Sequence, residues 1–403
     1  MAGRSLKCVF LWSEGPTRSL QEAHGAHVRP EAAQLETRHE IIPRMGWMMD
    51  VGVRFVSVEQ LLHQRGREGY ALAREAIEHG DIVLIDGPLY RMSDYRSIEK
   101  EVSKTGIPCL DTAANVEAVA NLSSYYPLLK KQRIPQPRTV LVPLTPEDLS
   151  QSDSKEFYKK VVGKRIELLL ARGKMHPTRT KPAFYRTFFS SAVGGNVWMY
   201  RAESVVDVVN SSYEVIYDCS GRRDTGGLAV REFLELQSVY PAPMRDLYRE
   251  YRVFVIGGVP VWYTYYYGLG HVDTKSEKFE EFKKSVALSA AKKRSLRNLA
   301  EKVAGVVPSH FFVIDIAYTR KKRPVVIDLG PGHAAGMAYK IGQVPVLYAL
   351  LNYAAYIAAS PKRLRAKPKI APGKLLNKER VDNIVDALGV SRRPLECFCG
   401  YLI

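Results

Sequence analysis

The chain reads as α/β over its first third and as α+β beyond it, and three observations predict this. Short apolar runs alternate with helix-like stretches from the first residues. Further on, two aromatic-rich runs flank a small-residue, glycine-containing turn. Near the end of the folded region, two apolar runs each carry one aspartate, Asp315 and Asp328. Strand–helix alternation is the grammar of a parallel sheet, whereas paired runs across a tight turn are that of hairpins.

KCVFLW, RFVSV and DIVLIDGP are the first three strands, and TGIPCLDT is the expected fourth. A helical stretch from Val58 to His79 places Leu61, Leu62, Leu72 and Ala76 on roughly one face. Crossover helices between consecutive strands imply parallel pairing. NVEAVANLSSYYPLLKKQRIPQPRTVLV predicts a helix ending before Pro135, a proline-pinned turn and a strand over Thr139 to Val142. The first domain is therefore expected to span 1–138. Residues 142–180 are polar and helical; AFYRTFF and VWMYRAE then form a hairpin around SSAVGG. Leu296, Leu299, Ala300 and Val303 recur at i, i+3, i+4 and i+7, a buried helical stripe expected to close at a left-handed Gly305. HFFVIDIA and PVVIDLG flank the charged turn TRKKR.

A chain of 403 residues, 46% hydrophobic, holds two or three domains. Five scattered cysteines give no disulfide framework and favour a reducing, cytoplasmic setting; Cys397 and Cys399 lack a second pair at zinc spacing. The start has too short an apolar stretch for a signal peptide, and Val344 to Ala359 falls short of a membrane span. The net charge of +17 favours anionic partners. Residues 361–380 carry eight Lys/Arg against Glu379, interspersed with prolines, and read as an extended basic arm. Such a tail, over 361–403, either solubilises the chain or contacts nucleic acid or an acidic partner.

A carboxylate inside an apolar strand needs a cation or strong donors, because burying it unpaired costs several kcal/mol. If the TRKKR turn brings Asp315 and Asp328 to one face, they suit Mg²⁺, which takes one or two carboxylates beside water and phosphate oxygens. Each alone is equally explained as a cap or an ion-pair partner.

These segments, in this order, resemble the ATP-grasp superfamily of carboxylate–amine ligases, among them D-alanine ligases and ribosomal-protein glutamate ligases. GIPCLDTAANVEAV with LLKKQRIPQPRTVLV is similar to the entry into the ATP-binding domain, and FYRTFFSSAVGGNVWMY to its phosphate-covering glycine loop. AVREFLEL is similar to the adenine hinge, YREYRVFVIGGVPV to the strand pair after it, and VIDIAYTRKKRPVVIDLGPGHAAG to the metal-carboxylate motif. The resemblance runs from about residue 80 to 360. It implies an ATP-grasp fold with an N-terminal parallel-sheet domain (1–138), two lobes (139–228 and 229–360) and the basic tail.

By the same resemblance ATP and Mg²⁺ are the cofactors. Gly194 and Gly195 would lie on the phosphates, and Arg186 would bind them, with Lys181 as a second choice. Glu232 and Leu234 would meet adenine through the main chain with Phe233 in the core beneath, while Glu235 or Gln237 would meet ribose. Arg252 would flank the transferred phosphoryl group, and Asp315 and Asp328 would hold the metal. Asp86, Tyr90 and Arg91, after the third strand, are candidate substrate contacts or plain turn residues. His333 is a candidate phosphate or metal contact. The chain departs from the family pattern at Leu122, Arg186 and Gly330, where a lysine, a lysine and an asparagine are usual. The implied reaction joins a small-molecule or peptide carboxylate to an amine at the expense of ATP. The alternatives are phosphoryl transfer to a hydroxyl, as on RNA, and a nucleotide-binding module without turnover.

Overall fold

The computed structural model describes residues 5–13, 40–62, 67–87, 91–145, 147–148, 155–189, 200–220, 226–239, 247–267, 278–335, 340–365, 370–390 and 399–402. Its first sheet is parallel, with β1 (Leu6–Trp12) between β2 (Val51–Ser57) and β3 (Ile82–Asp86). The expected fourth strand is reduced to one parallel bridge, Val83 to Cys109. Pro108 ends the ladder there, since it donates no N–H and only its carbonyl can serve Val83. Within the stretch read as one helix, Val58–Leu62 and Arg67–Glu78 are helical. Leu61, Ala73 and Ile77 are buried, whereas Leu72 is 60% exposed, so the buried stripe runs one position later than expected.

The second sheet is antiparallel in the order β4 (Thr139–Pro143), β7 (Gly227–Glu232), β5 (Ala183–Thr187), β6 (Tyr200–Ala202). Helices Lys164–Arg172 and Val205–Ser220 cover it around Val142, Ile166, Leu170, Tyr185, Val208 and Val230. The third sheet runs β11 (Pro324–Pro331), β10 (Phe311–Tyr318), β8 (Glu250–Ile256), β9 (Val259–Tyr265), β12 (Cys399–Tyr401). Gly257 and Gly258 join β8 to β9 with φ of 56° and 78°, the pair of positive values that a type I′ hairpin turn demands. A Cβ on Gly257 would also stand 2.5 Å from the Tyr353 ring. Gly257→Ala is therefore expected to cost about 2 kcal/mol or more, read as a lower urea midpoint at unchanged slope.

The largest core cluster is continuous from the N-terminal sheet (Phe10, Leu84) through the helix Lys340–Ala358 (Leu347, Tyr353) to β8 and β10 (Val253, Ile314). That helix is apolar on all sides because the first and third sheets both pack near it. No helix among the described residues is long and apolar enough to cross a membrane.

Two expectations are corrected. Gly305 caps helix Ala290–Ala304 in right-handed geometry (φ −64°), because the chain continues the turn, with Val306 and Val307 both donating to the Val303 carbonyl. The segment after residue 360 is not an extended arm. Helix Lys378–Ala387 buries Val381, Ile384 and Val385, Ile370 and Leu375 join the same core, and β12 extends the third sheet. The basic residues mask a sparse apolar stripe that the core recruits.

Candidate active site

The face of the third sheet turned from this core carries charge. Asp315 on β10 stands opposite Arg252 on β8 and opposite Asp328 on β11. Directly opposed residues in antiparallel strands share a face, so the turn after Tyr318 brings the two aspartates together. Arg252 donates from Nε and Nη2 to the two Asp315 oxygens, at 2.8 and 2.9 Å, and its guanidinium lies 4.8 Å from the centre of the Tyr266 ring.

Asp328 is gripped from the second sheet. Arg186 on β5 donates from Nη1 to Oδ2 at 2.7 Å and from Nη2 to Oδ1 at 2.9 Å. The Tyr125 hydroxyl donates to Oδ1 at 2.6 Å, and the Leu329 amide to the same oxygen at 2.9 Å. Arg186 pairs with Ala229 on β7, and Arg231, two residues on, shares its face. Arg231 is buried and donates to the Ile327 carbonyl at 2.6 Å. Two facing sheets thus contribute three arginines and two aspartates to one cluster. The Nε–H groups of Arg186 and Arg231 are buried donors with no acceptor among the described residues.

Burial weighs most on both aspartates and pushes both upward. At Asp328 the charges of Arg186 and Arg231, with the hydrogen bonds from Arg186 and Tyr125, outweigh it and hold the carboxyl below the usual range. At Asp315 burial prevails over Arg252, and the carboxyl lies above it. Glu250, buried on the same face and bonded by the Tyr267 hydroxyl at 3.1 Å, is pushed up to about 8 by burial and then by the charge of Asp315. Between its ordinary value of 4.5 and about 8 the folded chain keeps a proton that the unfolded chain has lost. Stability is therefore expected to fall as pH rises through that window, by about 1.4 kcal/mol per pH unit from this group, and to level off above it. Glu250→Gln should remove that slope in urea unfolding followed across pH.

The remaining expected residues divide by location. Glu232 takes the Arg138 amide on Oε1 at 2.7 Å, and its own amide bonds the Arg138 carbonyl. Phe233 is 39% exposed and packs on Phe184 instead of lying in the core, because the strand has ended and the chain is leaving the sheet. The amide and carbonyl of Leu234 make no hydrogen bond within the described residues. The backbone of Gln237 is held between Tyr318 and Arg249, while its Oε1 is buried without a partner among the described residues. Glu235 is exposed, 3.5 Å from Arg320. Lys181 is exposed in a turn closed by bonds with Thr178 and is not in the arginine cluster.

Asp86 ends β3 in a buried position, and Arg91 is exposed before helix Met92–Ser103. The ring of His333 meets residues of the N-terminal domain. Its Nε2 meets the hydroxyl of Tyr95, on helix Met92–Ser103, at 2.8 Å, and its Nδ1 lies 3.6 Å from Asp111. Gly194, Gly195 and Tyr90 lie outside the described residues.

Residues 173–351 match the family model described as ATP-grasp domain, R-2-K clade family 3. This segment is an ATP-grasp domain. The D-alanine–D-alanine ligase of Bacillus anthracis is a solved structure of similar fold, at 10% identity and a TM-score of 0.51, covering 90% of this chain and 100% of that one. The corresponding enzyme of Coxiella burnetii gives 12% identity and a TM-score of 0.51, covering 89% and 98%. At these identities the likeness is one of fold. No curated protein matches the sequence.

Of the two aspartates, Asp315 keeps acceptor positions that could hold a magnesium ion, whereas Asp328 already accepts four bonds and would have to exchange one from Arg186 or Tyr125. Among the described residues no group of three His, Cys, Asp or Glu converges as a metal cage, but magnesium needs only one or two carboxylates when phosphate supplies the rest. A carboxylate has about four acceptor positions, and the bonds from Arg252 occupy one on each Asp315 oxygen. Sequence reasoning missed Tyr125, Arg231 and Glu250. Arg231, a charge that follows the apolar run Leu228–Val230 within β7, carried a signal similar to that of Asp315 and could have been found.

Proposed function

We propose that the chain is an ATP-dependent carboxylate–amine ligase whose phosphate-binding centre is the arginine–aspartate cluster. The observation that carries this reading is the pair of buried Nε–H donors on Arg186 and Arg231 beside Asp328, which have no acceptor among the described residues. A buried N–H without an acceptor costs about 1–3 kcal/mol, a cost that a phosphate oxygen removes. With Glu250 protonated near neutral pH, three arginines face two carboxylates, and the surplus positive charge suits a polyphosphate.

In this reading Asp315, with Asp328 beside it, would hold a magnesium ion, which would neutralise charge on the phosphates. Leu234 orients adenine through its main chain, and Glu235 or Gln237 meets ribose. Arg252, fixed by Asp315 and stacked on Tyr266, lies where charge develops on the transferred phosphoryl group. A carboxylate oxygen of the substrate attacks the γ-phosphorus and the bond to the β–γ bridging oxygen breaks, releasing ADP. The amine nitrogen then attacks the acyl carbon, phosphate leaves with the C–O bonding pair, and the amine proton passes to solvent. Positioning and charge neutralisation are what such a site contributes. The ligase activity of the structural relatives supports this choice among ATP-grasp chemistries.

The test is ADP release with ATP, Mg²⁺ and pooled amino acids and acidic peptides, repeated with hydroxylamine as the amine. Carboxylate-dependent ADP release with hydroxamate formation is expected. A stable phosphorylated hydroxyl product formed without amine would overturn the reading.

A further inference from the structure

The ATP-grasp domain has a second concavity, on the reverse of the sheet that bears the aspartates. Along β10 the side chains alternate, so Ile314, Ile316 and Tyr318 oppose Asp315. Tyr318 donates from its hydroxyl to the Lys292 carbonyl at 3.0 Å, which places helix Ala290–Ala304 on that reverse face. Between this helix, the β10–β11 turn and the chain at Pro135 and Leu234 lies a groove of about 890 Å³.

Its charge is one-sided. Arg294, Lys302, Arg320, Lys321 and Arg323 line it against a single acid, Glu235. Arg294, Asn298 and Lys302 stand at i, i+4 and i+8, one face of the helix. The turn is fixed by Thr319 bonding Arg323 and by Lys322 at a φ of 60°, so its cations are held on a defined loop. Glu235 lies 3.5 Å from Arg320, whereas the other four cations have no carboxylate partner among the described residues. Holding like charges around one concavity is unfavourable unless an anion offsets them.

We propose that this groove, which borders the nucleotide site at Leu234 and Glu235, docks the phosphodiester backbone of a nucleic acid through its five cations. Three of the five cations are arginines, whose forks match phosphate oxygens, and Ser295, Asn298 and Thr319 add neutral donors, the mixture used at nucleic-acid backbones. No aromatic side chain among the described residues lines the groove, so bases have nothing to stack on and binding reads charge, not sequence. The chain's +17 net charge steers a long polyanion toward it. The folded segment after residue 360 is thereby replaced, as the expected anion-binding element, by the reverse face of the domain.

The experiment compares the full chain with the triple variant Arg294→Glu, Lys302→Glu, Arg323→Glu. The probes are a labelled mixed-sequence oligoribonucleotide and poly-L-glutamate, followed by fluorescence anisotropy over a salt series. All three residues are exposed, so the variant should fold, and its magnesium-dependent stabilisation by ATP should match the parent's. The parent is expected to bind the oligonucleotide with a steep salt dependence. The variant should bind at least about tenfold more weakly, with a log–log salt slope lower by about two to three. Unchanged affinity in the variant, no binding by the parent, or tighter binding of poly-L-glutamate than of oligonucleotide at equal salt would each overturn the proposal. A failure of ATP to stabilise either protein would speak against the ligase reading and leave the groove result standing.

Discussion

Arg186→Met is expected to lower stability by about 3–5 kcal/mol near neutral pH, the usual cost of stranding a buried charge. The arginine side chain is 5% exposed and both its Nη groups bond Asp328. Without it Asp328 keeps the Tyr125 and Leu329 donors, but the charge that offset burial is weakened. Asp328's carboxyl is held below its ordinary value in the parent, so the stabilisation is present above that value and is lost as pH falls through the lowered one. The variant's deficit should accordingly shrink on acidification. Adding Asp328→Leu to Arg186→Met should recover much of the loss, because an apolar pair of similar volume replaces the ion pair. Urea unfolding of the three proteins at neutral and acidic pH reads this directly; an equal deficit in the double variant would place the cost elsewhere.

The second large effect concerns the counter-charges. Asp315→Asn and Asp328→Asn should each reduce magnesium-dependent ADP formation by about three orders of magnitude, since each removes half of the metal's protein ligands. Each also leaves an arginine without its carboxylate, freeing a fork for phosphate. ATP binding without magnesium should therefore tighten by about tenfold in the Asn variants. Calorimetric titration of ATP with and without magnesium separates the two effects. A plain loss of affinity in both conditions would mean that the arginines do not exchange carboxylate for phosphate.

Much of this centre was legible in the sequence because burial makes charge conspicuous. Asp315 and Asp328 stand out in apolar strands, and the resemblance pointed to Arg186 and Arg252. The partnering of those arginines with the aspartates was not legible. Tyr125 reaches Asp328 across 203 residues of sequence, from a helix whose local pattern says only that it is amphipathic. Glu250 reads as one more charge near a strand start, and its raised proton affinity follows from burial that no local window contains. The parallel sheet was legible from strand–helix alternation, whereas the loss of its fourth strand depends on where Pro108 meets the ladder. The segment after 360 misled for the opposite reason: frequent lysines and prolines dominate a window in which a few spaced apolar residues decide the packing.

Manganese serves as a paramagnetic stand-in for magnesium, and its binding in the presence of ATP, followed by electron paramagnetic resonance, bears most directly on the cluster as a metal–phosphate centre. The parent chain should bind one manganese ion tightly, only when ATP is present, and the Asp315→Asn, Asp328→Asn double variant should show none. Undiminished ATP-dependent manganese binding in that double variant would contradict the assignment.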